Sequence, residues 1–193
     1  DMVAFTGSIA TGQAIMRSAA TAMKRLVLEL GGKDPMIVLP GADIEAAAKH
    51  AALEATRNTG QVCVAVERVI VHKDIAEAFS RRVAEVVRGL RVGDPREETT
   101  DLGPSVVVGV TPGMNLAQHE TFGPVVAIQV ARDAEEAVAR ANDTVYGLGA
   151  SVWGPEGPEL EALAGRIQAG MVGINRGLST AAGAPWVGWK MSG

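Results

Sequence analysis

Short apolar runs alternate with amphipathic stretches along most of this chain. Val3-Ala4-Phe5 reads as a strand running into Thr6-Gly7-Ser8, and a helical pattern follows from Thr11 to Met23. Leu26 to Leu30 reads as a second strand stopped by Gly31-Gly32, and Met36 to Leu39 as a third. Asp43 is placed to cap an Ala-rich helix reaching Arg57. A strand over Glu67 to His72 comes next. Asp74 then stands as the cap of a helix with Ile75, Phe79, Val83, Val86 and Leu90 on one side. Gly93-Asp94-Pro95 closes that unit, and Arg96 to Thr100 is a polar loop.

The second half repeats the alternation. Val106 to Val108 and Val125 to Val130 read as strands. Asp133-Ala134-Glu135-Glu136 is a capping box opening a helix to Asn142. Ala150 to Trp153 is a strand, Glu156 to Gln168 a helix ended by Gly170, and Met171 to Ile174 the last strand. Strands that alternate with helices of about ten residues predict an α/β fold with a largely parallel sheet.

Composition narrows the partners. The net charge of −4 gives no reason to expect nucleic acid or an anionic membrane. No apolar run approaches the ~18 residues of a spanning helix. One cysteine in 193 residues cannot form an internal disulfide, which fits a reducing, cytoplasmic setting. His50, His72 and His119 lack metal-ligand spacing, so no metal is expected.

That cysteine carries the candidate chemistry. Cys63 ends Asn58-Thr59-Gly60-Gln61-Val62-Cys63, where glycine allows backbone amides to approach a sulfur and a substrate oxyanion. Thiolates attack carbonyl carbon readily, so Cys63 is a candidate nucleophile, against the plainer reading of an inert buried thiol. A catalytic turn predicts reactivity below the free-cysteine pKa of about 8.5. Glu29, in Leu28-Glu29-Leu30-Gly31-Gly32-Lys33, is either a strand-end ion-pair partner or a positioned base. Phe5-Thr6-Gly7-Ser8 followed by a helix start offers free amides to a phosphate, although an ordinary strand–helix turn is the commoner meaning.

The Cys63 and Glu29 segments resemble the catalytic cysteine and catalytic glutamate signatures of the aldehyde dehydrogenase superfamily. Glu120-Thr121-Phe122-Gly123-Pro124 matches that family's Glu-x-Phe-Gly-Pro motif, with His119 where an acidic residue is common. Asn175 and Pro185-Trp186-Val187-Gly188-Trp189-Lys190-Met191-Ser192-Gly193 match its closing motifs, with Trp186-Val187 in place of Phe-Gly. The resemblance implies an aldehyde dehydrogenase-like fold: the end of a Rossmann-type cofactor domain over residues 1–32, then an α/β catalytic domain with a parallel sheet over 33–193. It implies NAD or NADP as cofactor, a small aldehyde as substrate and a homo-oligomer. It places Cys63 and Glu29 in catalysis and Gly7, Ser8, Leu30, Gly31, Glu120 and Phe122 against the cofactor.

Family members are more than twice as long. Asp1-Met2-Val3 reads as the interior of a longer chain, and the first Rossmann strands, an oxyanion-hole Asn and an adenosine-side Lys are expected upstream. An internal deletion is expected near 104–105. The expected activity is oxidation of an aldehyde to a carboxylic acid. The alternatives are an incomplete remnant with a structural or interaction role, or residual thiol esterase activity.

Overall fold

The computed structural model describes residues 1–94, 96–98, 100–101, 103, 105–178 and 185–193. Pro95, Thr99 and Pro104, which fall in the expected unit end, polar loop and deletion point, lie outside them. Strand β1 (Met2–Thr6) pairs in parallel with β2 (Arg25–Glu29), and helix α1 (Ile9–Ala20) connects them. A separate parallel sheet has the order β5-β6-β4-β3-β7-β8, from β3 (Asp34–Val38), β4 (Val66–His72), β5 (Ser105–Val108), β6 (Val125–Ala131), β7 (Gly149–Trp153) and β8 (Met171–Ile174).

Helices cover both faces of this sheet, as parallel strands require. Helices α2 (Ile44–Thr56) and α3 (Ala76–Arg88) lie on one side, where Ala47, Ala51, Phe79 and Val83 bury against Met36, Val38, Val69 and Val71. On the other, α5 (Ala134–Asn142) and α6 (Pro158–Ala164) bury Ala137, Leu160 and Leu163 against Ile37, Ile70 and Val152. Alternate residues of β3 and β4 thus enter opposite cores, the period of two expected of a strand. A short helix α4 (Asn115–Gln118) leads toward Glu120.

The strands fall where the apolar runs put them, but three helices differ: α1 runs from Ile9 to Ala20 rather than from Thr11 to Met23, and the start of α3 and the end of α6 also move. Asp74 does not cap α3: its N–H donates to His72 Nδ1 at 3.2 Å, and the helix begins after Ile75. Helix α6 stops at Gly165 rather than reaching Gln168. Asn142 takes over the next backbone groups, donating to the Arg166 carbonyl at 3.0 Å and accepting from the Gln168 N–H at 2.8 Å. Half of the Asp133 box forms. Its carboxylate accepts from the Glu136 N–H, while the Glu136 carboxylate takes the N–H of Arg132. No described helix is long and apolar enough to cross a membrane.

Candidate active site

The β1–β2 unit meets the N-terminal ends of β3 and its neighbours through three turns. The first follows β1. Ser8 caps α1, its Oγ accepting from the Thr11 N–H at 3.2 Å, and Gly7 N–H donates to the Glu29 carbonyl at 3.0 Å. The Ser8 hydroxyl is therefore engaged locally. What the helix start presents outward is backbone N–H and the positive end of its dipole.

The second turn follows β2. Leu30 N–H donates to the Ser192 carbonyl at 2.9 Å, and buried Ser192 Oγ donates to the Gly31 carbonyl at 2.7 Å. The closing motif of the chain thus braces this turn. A Cβ on Gly32 would lie 2.0 Å from the Cys63 carbonyl oxygen, so only glycine lets the two segments touch.

Cys63 follows the third turn, which begins as a 3-10 turn over Arg57–Gly60. Asn58, Thr59 and Gly60 are consecutively left-handed, with φ of 50°, 64° and 72°. That conformation is costly for a β-branched threonine and marks a backbone held by its surroundings. Asn58 Nδ2 donates to the Gln61 carbonyl at 3.0 Å. A Cβ on Gly60 would meet the Gly123 carbonyl at 2.3 Å, so the cysteine turn lies directly against the Glu120–Pro124 segment.

These turns enclose a cavity of about 250 Å³ lined by Thr6, Gly7, Ser8, Glu29, Leu30, Gly31, Cys63, Glu120 and Phe122. All eight residues expected at the site from the sequence are among them. Glu120 Oε1 accepts from the Gly32 N–H at 3.0 Å, and burial pushes its carboxyl above the usual range. Burial also pushes the half-buried Cys63 thiol up. The Asp34 carboxyl adds to this, the thiol's own backbone N–H works against it, and Glu120 and Glu29 raise it further. This opposes the expectation of a thiol reactive below the free-cysteine value. In this chain the field around the sulfur favours the neutral form, so activation must come from a proton acceptor or from a cation brought into the cavity.

Other singled-out residues fall elsewhere. Asn175 does not line the cavity: it pins strand ends, accepting from the Gly154 N–H at 2.9 Å and donating to the Gly154 carbonyl at 3.0 Å. Trp186 lines a second cavity of about 180 Å³ with Val64, Arg57, His50, Asp34 and Leu178. Val187 stays outside the left-handed region, so its replacement of glycine is met without that strain. His119 is exposed, and His50 packs its ring 5.2 Å from Trp153.

Buried charge at the base of the site was not singled out from sequence. Lys33 and Glu67 form an ion pair at 2.5 Å, both essentially buried. Arg68 Nε donates to the Lys33 carbonyl at 3.0 Å, and its Nη atoms to the carbonyls of Arg140 and Ala141 at 3.0 Å each. Asp34 Oδ1 accepts from the Gly149 N–H at 3.0 Å, and its Oδ2 has no hydrogen-bond partner among the described residues. A Lys–Asp and a Glu–Arg pair of neighbours at strand starts is a signal, since charge inside an apolar strand must find partners.

The aldehyde dehydrogenase family model matches residues 1–107 and 103–193. Succinate semialdehyde dehydrogenase [NAD(P)+] Sad of Escherichia coli is 36% identical over 231 residues, covering 99% of this chain and 50% of that protein. The structure of an NAD-dependent aldehyde dehydrogenase from Sinorhizobium meliloti superposes with a TM-score of 0.95 at 35% identity, over 100% of this chain and 46% of that one. Betaine aldehyde dehydrogenase from Staphylococcus aureus, solved with NAD+, gives 0.94 at 29% identity, over 100% and 47%. The chain therefore spans about half the length of the curated relatives it matches. With motifs, fold and likeness in agreement along its whole length, this chain belongs to the aldehyde dehydrogenase family.

Proposed function

We propose that this chain carries the thiol side of an NAD(P)+-dependent oxidation of aldehydes to carboxylic acids, with Cys63 as nucleophile and Glu29 as general base. The observation that carries this reading is the convergence of Cys63, Glu29, Glu120, Phe122 and the Gly7-Ser8 turn on one cavity. As Cys63 Sγ bonds to the aldehyde carbon, the thiol proton passes to Glu29 and on to solvent, the carbonyl π bond opens, and the Cys63 backbone N–H supports the resulting oxyanion. The dinucleotide, when bound, supplies the acceptor for the hydride that leaves this carbon. Glu29 takes a proton from water, the water oxygen attacks the thioester carbon, and the carbon–sulfur bond breaks to release the acid and restore the thiol.

The residues present fit one end of a dinucleotide. Amides at the start of α1 suit a phosphate, Glu120 suits a ribose hydroxyl, and half-exposed Phe122 suits the face of a nicotinamide. Residues 1–32 would then be the closing part of a cofactor domain and 33–193 the catalytic domain, which the separation of the two sheets supports. The two overlapping pieces of the family match support an internal deletion near 104–105. The name of the Escherichia coli relative points to an aldehyde with a carboxylate at its far end. Arg57, paired with Glu54 at 3.3 Å in the second cavity beside Val64, is a cation that can take such a tail by exchanging that partner. A cytoplasmic homo-oligomer belongs to the same proposal.

The surroundings that keep the Cys63 thiol neutral favour a second reading, in which the role of this chain is structural. Hydrolysis of p-nitrophenyl acetate separates the two, because it needs the thiol and the base but no dinucleotide. The expected result is turnover abolished in Cys63→Ala and slowed by roughly 10²–10⁴ in a folded Glu29→Gln variant. Equal turnover in all three proteins would sink the catalytic reading.

A further inference from the structure

Glu67 lies where the register between β3 and β4 shifts. Asp34 pairs with Val66 and Pro35 with Arg68, so Glu67 is the extra residue of a bulge. A bulge re-aims a side chain that a regular strand would send elsewhere. Here the Glu67 carboxylate lies beneath the Glu120–Phe122 segment. It accepts from the Thr121 N–H at 2.7 Å and 3.1 Å, from the Phe122 N–H at 2.9 Å and from Lys33 Nζ at 2.5 Å. Lys33 Nζ also donates to Thr121 Oγ1 at 3.0 Å. Phe122 is held at a φ of 50°, which a non-glycine residue keeps only when its surroundings impose it.

We infer that Glu67 is the positioning residue of this site, holding the backbone of Thr121 and Phe122 so that the Glu120 and Phe122 side chains point into the cavity. The inference rests on the dinucleotide reading of that cavity. Its geometry is a single buried anion joining two loops. Lys33 continues the Gly31-Gly32 turn, Thr121 and Phe122 belong to the facing segment, and Gly32 N–H reaches back to Glu120 Oε1. The lysine neutralises the carboxylate, and the two amide donors fix the loop. Glutamine at this position leaves one acceptor oxygen where two work now, and it strands the lysine.

Glu67→Gln and the double variant Lys33→Met/Glu67→Gln test this. The double variant removes the stranded cation, so its fold survives even where the single one fails. Two measurements are made on each: amide hydrogen exchange in the unliganded protein, and NMR titration with nicotinamide mononucleotide. Exchange at Thr121 and Phe122 is expected to quicken at least tenfold, with Val69 and Ile128 within twofold of the parent. The dissociation constant of the mononucleotide is expected to rise at least tenfold in both variants. Unchanged exchange at Thr121 and Phe122 overturns the inference. So does recovery of mononucleotide affinity in the double variant, which would leave Glu67 as merely half of an ion pair. A parent chain that does not bind the mononucleotide defeats the dinucleotide reading instead, and exchange alone then decides whether Glu67 sets the loop.

Discussion

At the scale of single residues, Asp34 and Cys63 are linked by burial. Asp34 is fully enclosed, and desolvation pushes its carboxyl from 3.8 up to about 8. The folded state therefore holds a proton that the unfolded chain releases between these values. The associated stability is complete below the unfolded value and is lost as pH rises through the folded one. Asp34→Asn keeps an oxygen for the Gly149 N–H and removes the titration. Its unfolding free energy is expected to gain on the parent between pH 5 and pH 9, by on the order of a few kcal/mol, read as a rising melting temperature relative to the parent. Parallel melting curves across that range would show that Asp34 does not titrate as described. The same carboxyl raises the Cys63 thiol. Alkylation of native Cys63 is thus expected to reach its midpoint above about 8.5 in the parent and at a lower pH in Asp34→Asn. A parent midpoint below the free-cysteine value would mean that the cavity activates the thiol unaided.

Among elements, the bulge in β4 does the most to organise the site. It sends Glu67 to the cavity loops, and Arg68 to the last carbonyls of α5, whose negative dipole end suits a guanidinium. Burial lowers the Arg68 pKa to about 10, so it remains charged near neutrality. Lysine cannot reproduce a fork that reaches three carbonyls. Arg68→Lys is expected to cost about 2–4 kcal/mol, since bonds from a charged donor contribute ~1.5–3 each and lysine keeps some of them. Urea unfolding with an unchanged slope would check it, and a loss below ~0.5 kcal/mol would show the fork to be dispensable.

For the whole molecule, the balance between the two sheets matters. The six-stranded sheet has helices on both faces, whereas β1 and β2 form a narrow unit that leaves Met2, Val3 and Val27 exposed, with Met16 and Met23 of the α1 segment. Open strand edges with apolar side chains recruit further strands. This chain is expected to self-associate in sedimentation as concentration rises, and Val27→Lys to reduce that association. A monomer at all concentrations would refute the edge argument. On the proposed reading of its cavity, the chain supplies only the phosphate and nicotinamide end of a dinucleotide site, and it spans about half the length of its relatives. Each missing 1.4 kcal/mol of contact weakens binding tenfold. Calorimetry is therefore expected to show no saturation by NAD+ or NADP+ at millimolar concentration, and micromolar binding would show that this half of the contacts suffices.

The sequence by itself determined the strands, the Asp43 and Asp133 helix caps and the motifs around Cys63, Glu29 and Glu120. Each of these is written locally: periodicity in β3 and β4, Asp43 and Asp133 ahead of helices, glycines where the chain must turn. What only the tertiary structure decided depends on residues far apart in the chain. Asn142 shortens α6 by bonding beyond Arg166, and Ser192 braces the turn after Glu29. Glu67 leaves the strand alternation only because β3 is one residue short against it. The shift of the Cys63 thiol also lay beyond local reading. It depends on how deeply the sulfur is buried and on Asp34, whose own proton is held by desolvation, and burial is a property of the assembled core rather than of neighbours in sequence.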